Sequence, residues 1–354
     1  MYVDDYLDSR DTIDETVQLS LDARGINLKA GFDLRNWQSN SKEILRRIGE
    51  KGHESVKSFA TEKSTPTERV LGMTWMTEND VFMFSAQFRE DLLPLLSGNI
   101  VPTKRQVLRV VMSYFDPLGI ISNYTIHGRI LLQNIWRSNV KWDDPITDND
   151  FSNWQRWILL APQLNKVPRC YFPNYDTSSY DSLQLHMFVD AGEQAYGAVA
   201  YFRIVDRGIP RCALVAAKAK VAPLKPLSIP RSELNAGVIG IRLMKTIEKN
   251  HSLPIKRRFF WTDSTTVLSW LRSDPRKYRQ YVALRVSEIL TESEMCEWHW
   301  IGTSKNVADK TTKWGNGPDF ESKSEWYKGP DFLHRPEAEW VIKQPTIIDP
   351  PEEL

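Results

Sequence analysis

Asp190, Glu233, Asp263 and Asp309 are the residues of this 354-residue chain whose types and surroundings best suit catalysis. Carboxylate oxygens are hard ligands, and no cluster of His and Cys accompanies these four, so the cation they suit is Mg²⁺ or Mn²⁺. Four carboxylates brought to one place repel each other unless a cation neutralises them. Two such ions about 3.5–4 Å apart activate water and stabilise the leaving oxygen in phosphodiester hydrolysis.

Whether the four acids meet depends on the elements that carry them. Phe259, Phe260 and Trp261 form a short apolar strand that stops at Asp263, and Ser264 can cap a helix whose apolar stripe is Val267, Leu268, Trp270 and Leu271. An acid at the carboxyl end of a buried strand lies where open α/β sheets place their ligands, although a helix cap has the same appearance. Leu183, Leu185, Met187 and Val189 alternate along a strand ending at Asp190. Ala195–Val205 and Cys212–Val221 continue as a meander. Pro230 suits the first turn of the next helix, which puts Glu233 near its N-terminus. Gly237 and Gly240 share that helix face, which lets it approach the sheet closely. A strand over Cys296–Ile301 and a last helix starting at Asn306-Val-Ala-Asp309 complete a β-β-β-α-β-α-β-α order.

Phe188-Val-Asp-Ala191, Ser228-Ile-Pro-Arg-Ser-Glu233, Trp261-Thr-Asp-Ser-Thr-Thr-Val-Leu-Ser-Trp270 and Asn306-Val-Ala-Asp309 resemble the ribonuclease H domain of Bel/Pao-type LTR retrotransposon Pol polyproteins. The resemblance implies that Asp190, Glu233, Asp263 and Asp309 are both the catalytic residues and the metal ligands. The reaction it implies is cleavage of the RNA strand of an RNA–DNA hybrid. A departure follows Asp309, where Lys310-Thr-Thr-Lys-Trp314 replaces a more usual acidic residue and Thr-Arg ending. Lys305 and Lys310 bracket Asp309; either they pair with it and draw it away from the metal, or they contact substrate phosphate.

The same resemblance extends upstream. Tyr2, Val3, Asp4 and Asp5 are similar to the hairpin on which reverse transcriptases carry two of three palm aspartates. The implied fold class is α/β: a ribonuclease H-like mixed sheet with flanking helices, preceded by a partial reverse-transcriptase palm and a helical thumb/connection block. The implied divisions are a palm remnant at 1–88, the helical block at 89–170, a linker at 171–182, the ribonuclease H-like domain at 183–318 and an extended tail at 319–354. A third palm aspartate and the fingers are missing, so no DNA synthesis is expected. Aspartic peptidase chemistry is also excluded: Asp11-Thr-Ile, Asp176-Thr-Ser and Asp263-Ser-Thr all lack the required glycine.

Forty-six basic and forty-five acidic residues leave a net charge of +1, which announces no nucleic-acid partner on average. Locally, 255–285 carries eight Lys/Arg against two Asp, net +6. Arg276, Lys277 and Arg279 of that stretch, with Lys218, Lys220 and Arg231, are the candidate contacts to a nucleic-acid backbone; a solvated basic face is the other reading. Three scattered cysteines make neither a disulfide framework nor a zinc site. With no signal peptide and no apolar run of about 18 residues, no membrane is expected. The expected location is cytoplasmic, in a retrotransposon particle, or nuclear, and the expected partners are a hybrid duplex and the rest of the Pol polyprotein. A catalytically dead copy that at most binds nucleic acid is the alternative.

Overall fold

The computed structural model describes residues 6–50, 67–70, 73–84, 86, 88–164, 166–173, 177–315 and 317–340. Tyr2, Val3, Asp4 and Asp5 lie outside the described residues. The chain divides into two compact units, Met1–Ser85 with Lys166–Cys170, and Ala86–Asn165 with Tyr171–Leu354. No helix among the described residues is long and apolar enough to cross a membrane.

In the first unit, Thr12 caps α1 (Ile13–Lys29) by accepting from the Glu15 backbone N–H, and α2 spans Lys42–Arg47. Val17, Ile44, Leu45 and Ile48 make a small core under Trp37. The Phe32–Trp37 segment forms no strand, and Asn36 within it turns the backbone into the left-handed region at φ 57°. Strands β1 (Thr67–Val70), β2 (Met73–Met76), β3 (Val81–Met83) and β4 (Lys166–Pro168) form an antiparallel sheet in that order.

The second unit begins with helices α3 (Lys104–Met112), α4 (Ser122–Arg137) and α5 (Asp148–Ile158). Thr103 and Gln106 close a capping box on α3. Trp154 and Trp157 on α5 are buried, and Trp157 stacks on Tyr124 at 4.9 Å, so both rings are core.

A five-stranded mixed sheet follows, in the order β7 (Ile209–Val221), β6 (Ala195–Asp206), β5 (Gln184–Ala191), β8 (Arg257–Thr262), β9 (Trp298–Trp300). The first three strands are antiparallel, whereas β5, β8 and β9 run parallel. Leu185, Met187, Val189 and Phe260 form a buried core with α6 (Ile229–Asn250), α7 (Thr265–Arg272) and α8 (Gln280–Glu292), the last of which the sequence reading missed. The two glycines of α6 serve different neighbours. A Cβ on Gly240 would lie 2.7 Å from Val189 Cγ1 in the sheet, and one on Gly237 would lie 3.1 Å from Ile289 Cδ1 on α8.

The opposite face of the sheet corrects the expected tail. His186, Phe188, Phe259 and Trp261 make that face aromatic, and leaving it in water would cost roughly 25 cal/mol per Å² of apolar area. Instead of extending, residues 319–340 fold over it through α9 (Glu325–Lys328) and further short turns, with Phe332 and Trp340 against Trp261. Tyr201 Oη donates to Trp326 O at 2.7 Å. Arg203, only 1 % exposed, donates to Leu333 O and Arg335 O. Residues 341–354 lie outside the described residues.

The helical segment docks on edge strand β7. Ala217 N donates to Leu118 O at 2.8 Å, and Gln133 Nε2 to Ala222 O at 2.7 Å. This covers part of an edge that would otherwise offer unpaired backbone groups. Gly119 makes the approach possible: its φ is +73°, and a Cβ there would lie 1.8 Å from Ala217 O. Gly119→Ala is therefore expected to lower stability by about 3 kcal/mol or more. Gly208→Ala, at φ +81° with nothing within 4 Å, should cost only the backbone strain of about 1–2 kcal/mol. Urea midpoints of the two variants separate the contributions; equal losses would show that Ala217 yields freely.

Candidate active site

Parallel pairing of β5 with β8 sets Phe188 beside Trp261, so Asp190 and Asp263 leave the carboxyl ends of adjacent strands at the same level. Asp309 joins them from the short 3₁₀ turn Val307–Thr311, which stands where a last α-helix was expected. One carboxylate oxygen from each of the three lies within 4.8 Å of the others. Asp190 is buried, while Asp263 and Asp309 are half-buried.

Asn306 holds this arrangement together. Its Oδ1 accepts from Ala308 N and caps the turn that carries Asp309. Its Nδ2 donates to Val189 O at 3.0 Å and to Asp263 Oδ1 at 3.3 Å. Gly197, opposite Asp190 on β6, leaves room for the same turn: a Cβ there would lie 2.7 Å from Thr311 Oγ1. Thr312 Oγ1 donates to Asp190 Oδ2. On the other side, Ser264 caps α7 by accepting from Val267 N, and its hydroxyl donates to Glu233 Oε2. Glu233 is thus tied to the residue after Asp263, without entering the three-carboxylate group.

The electrostatics follow from this crowding. Burial, then the charges of Asp309 and Asp263, push the Asp190 carboxyl up to about 7, against the opposing hydrogen bond from Thr312. Burial likewise raises Glu233 to about 7, with Asp263 adding to it and the Ser264 hydrogen bond opposing it. The cation that answers this charge is Lys313, whose Nζ donates to Asp309 Oδ2 at 2.8 Å. Burial alone would lower its pKa, but the hydrogen bond to Asp309 and the charges of Asp190, Asp309 and Asp263 hold it above the usual lysine value. Lys310, which brackets Asp309 with Lys305, pairs instead with Glu325 at 3.4 Å. Among the described residues, Asp309 Oδ1 is buried with no hydrogen-bond partner.

The candidate nucleic-acid contacts scatter more widely. Lys218 and Lys220 are exposed on β7, opposite Ala198 and Tyr196, at the end of the sheet where Asp190 lies. Arg231, in the first turn of α6, packs its guanidinium over the Tyr281 ring at 4.9 Å. Arg276, Lys277 and Arg279 are exposed beyond the far end of α7, and Arg276 is paired with Asp274. Sequence reasoning overlooked Asn306, Thr312 and Lys313 as contacts of the acids.

Residues 103–264 match the family model described as Pao retrotransposon-like RNaseH-like domain, a span that contains Asp190, Glu233 and Asp263 and stops short of Asp309. No curated protein matches the chain. Similar solved structures include the N-terminal RNase H domain of a Mycobacterium tuberculosis protein fused to maltose binding protein, at 10 % identity and TM-score 0.25, covering 36 % of this chain and 87 % of that one. RNase H1 from the halophilic archaeon Halobacterium salinarum matches at 15 % identity and TM-score 0.22, over 35 % and 88 % of the two chains. A foamy viral protease-reverse transcriptase dRH in complex with double-stranded DNA matches at 12 % identity and TM-score 0.22, over 68 % of this chain and 39 % of that one. Residues 103–264 are thus similar to a Pao retrotransposon-type ribonuclease H-like domain.

Proposed function

We propose that the second unit is a metal-dependent ribonuclease H, hydrolysing the RNA strand of an RNA–DNA hybrid at Asp190, Asp263 and Asp309, with Glu233 beside them. The observation that carries this reading is the convergence of three carboxylates from three separate elements within 4.8 Å. The donor set fits Mg²⁺ or Mn²⁺, being all oxygen, and the buried, partnerless Asp309 Oδ1 leaves a lone pair that a cation would satisfy. Such a cation supplies the positive charge that activates water and stabilises the leaving oxygen. The chain's own residues orient the ligands: Asn306 fixes Asp263 and the Asp309 turn, Thr312 fixes Asp190, and Ser264 fixes Glu233. Incubating the full chain with labelled hybrid and Mg²⁺ tests it; folded protein that yields no product overturns it.

One contact favours a second reading, binding without efficient cleavage. The Lys313 ammonium on Asp309 already neutralises part of the charge a metal would meet. Lys313→Gln is therefore expected to tighten Mn²⁺ binding severalfold, corresponding to loss of a half-exposed, solvent-screened ion pair worth about 1 kcal/mol at most. Lys310→Asp should leave it unchanged, because Lys310 pairs with Glu325. Calorimetric titration of the three proteins with Mn²⁺ decides; a Lys313→Gln isotherm identical to wild type would show that the ammonium swings away at no cost.

A further inference from the structure

Beside the acidic group, α4, α5 and the turn after β5 enclose a cleft of about 240 Å³. His127, Asn134, Asn153, Arg156, Gln194 and Trp314 are among the residues that line it. We infer that this cleft binds one nucleotide of a nucleic-acid strand, with its base against Trp314 and its phosphate at Arg156.

The lining combines the groups such a ligand needs. Arg156 is exposed, and among the described residues no carboxylate is paired with it. Its guanidinium stands 5.6 Å from the Trp314 ring centroid, so the same wall offers a cation and an aromatic surface. An unpaired guanidinium is a fork for phosphate oxygens. An aromatic ring accepts any base, since every base has a π-face. The side-chain amides of Asn134, Asn153 and Gln194 supply donors and acceptors for base edges or sugar. His127 meets Trp314 edge to face at 4.4 Å and braces it. Burial, then the charge of Arg156, lowers the His127 pKa to about 4, so the imidazole is neutral.

Size and place agree. The volume is below the roughly 300 Å³ at which drug-sized ligand pockets begin, so the cleft can seat part of one nucleotide of a strand and cannot take a duplex. Trp314 directly follows Lys313, the lysine on Asp309, and Gln194 lies four residues beyond Asp190. A strand passing the carboxylates therefore has this cleft beside it. The inference concerns binding and stands whether or not the acids cleave anything.

Anisotropy of fluorescein-labelled RNA–DNA hybrid and of labelled single-stranded DNA, titrated with the full chain in EDTA, reads this site without metal. Arg156→Gln is expected to weaken binding about five- to tenfold at low salt and to flatten the log–log salt dependence by about one unit, as loss of one phosphate contact does. Trp314→Ala should lose about tenfold, and Trp314→Phe should keep most of the affinity. Asn134→Leu narrows the cleft and removes one lining amide while leaving Arg156 and Trp314 in place, and should weaken binding severalfold; with Arg156→Gln it decides the matter if Trp314→Ala does not fold. Wild-type affinity and salt slope in Arg156→Gln, together with wild-type affinity in Asn134→Leu, would overturn the site. Loss of binding with retained hybrid cleavage at high substrate would separate this cleft from the proposed nuclease centre.

Discussion

Asp263→Asn is expected to reduce Mg²⁺-dependent cleavage of a labelled hybrid by about 10²–10³-fold or more, the scale on which removing one preorganised charge-stabilising group acts. The expectation rests on position. Asp263 follows the end of β8, directly before the α7 cap Ser264, and it belongs to the group of three oxygens within 4.8 Å. Asn keeps the shape, and its Oδ1 still accepts from Asn306 Nδ2, so the fold should survive. Glu233→Gln should cost less, because Glu233 lies outside the three-carboxylate group and Gln can still accept from Ser264. Single-turnover rates, with circular dichroism to confirm folding, give the comparison. Undiminished cleavage by Asp263→Asn would place the chemistry elsewhere, whereas cleavage absent from every variant and from wild type would leave the binding-only reading.

The strand-end acids were legible because they sit on period-two patterns. Leu185, Met187 and Val189 commit β5 to one face, and Asp190 follows at the strand end. The cap at Ser264 was legible for a similar local reason. What the sequence concealed depends on turn geometry. Lys305 and Lys310 bracket Asp309 in the chain and are the partners adjacency suggests, yet the backbone keeps turning through Lys313 N to Asp309 O at 2.8 Å. Residues four apart on a helical turn face each other, and neighbours one apart do not. Lys313 therefore meets the carboxylate while Lys310 turns towards Glu325. The segment 319–340 was hidden differently. Its Gly, Pro and charged residues have no helix or strand period, so it read as a tail. Phe332, Leu333 and Trp340 nevertheless cover the aromatic face that Phe188, Phe259 and Trp261 present. Tertiary demand from the sheet, and no local propensity, folds it.

In divalent-free buffer at pH 8, Asp190→Asn is expected to be more stable than wild type, relative to the same comparison at pH 5, by about 2 kcal/mol. The sign follows from the direction of the shift. Burial raises the folded-state pKa of Asp190 to about 7, whereas an unfolded Asp titrates near 3.9. The folded protein therefore holds a proton that the unfolded chain has released, and stability from this residue is full below about pH 4, falls as pH rises and is lost by about pH 7. Asn carries no such dependence and can still accept from Thr312 Oγ1. Buried Asp116, raised to about 6, adds its own slope, but it does so in both proteins and cancels in the difference. Mg²⁺ should then restore wild type at pH 8 by mass action while doing little for Asp190→Asn. Urea midpoints at pH 5 and pH 8, with EDTA and with Mg²⁺, measure all of this. Parallel pH profiles for the two proteins in EDTA would mean that Lys313, not a bound proton or a metal, already neutralises Asp190.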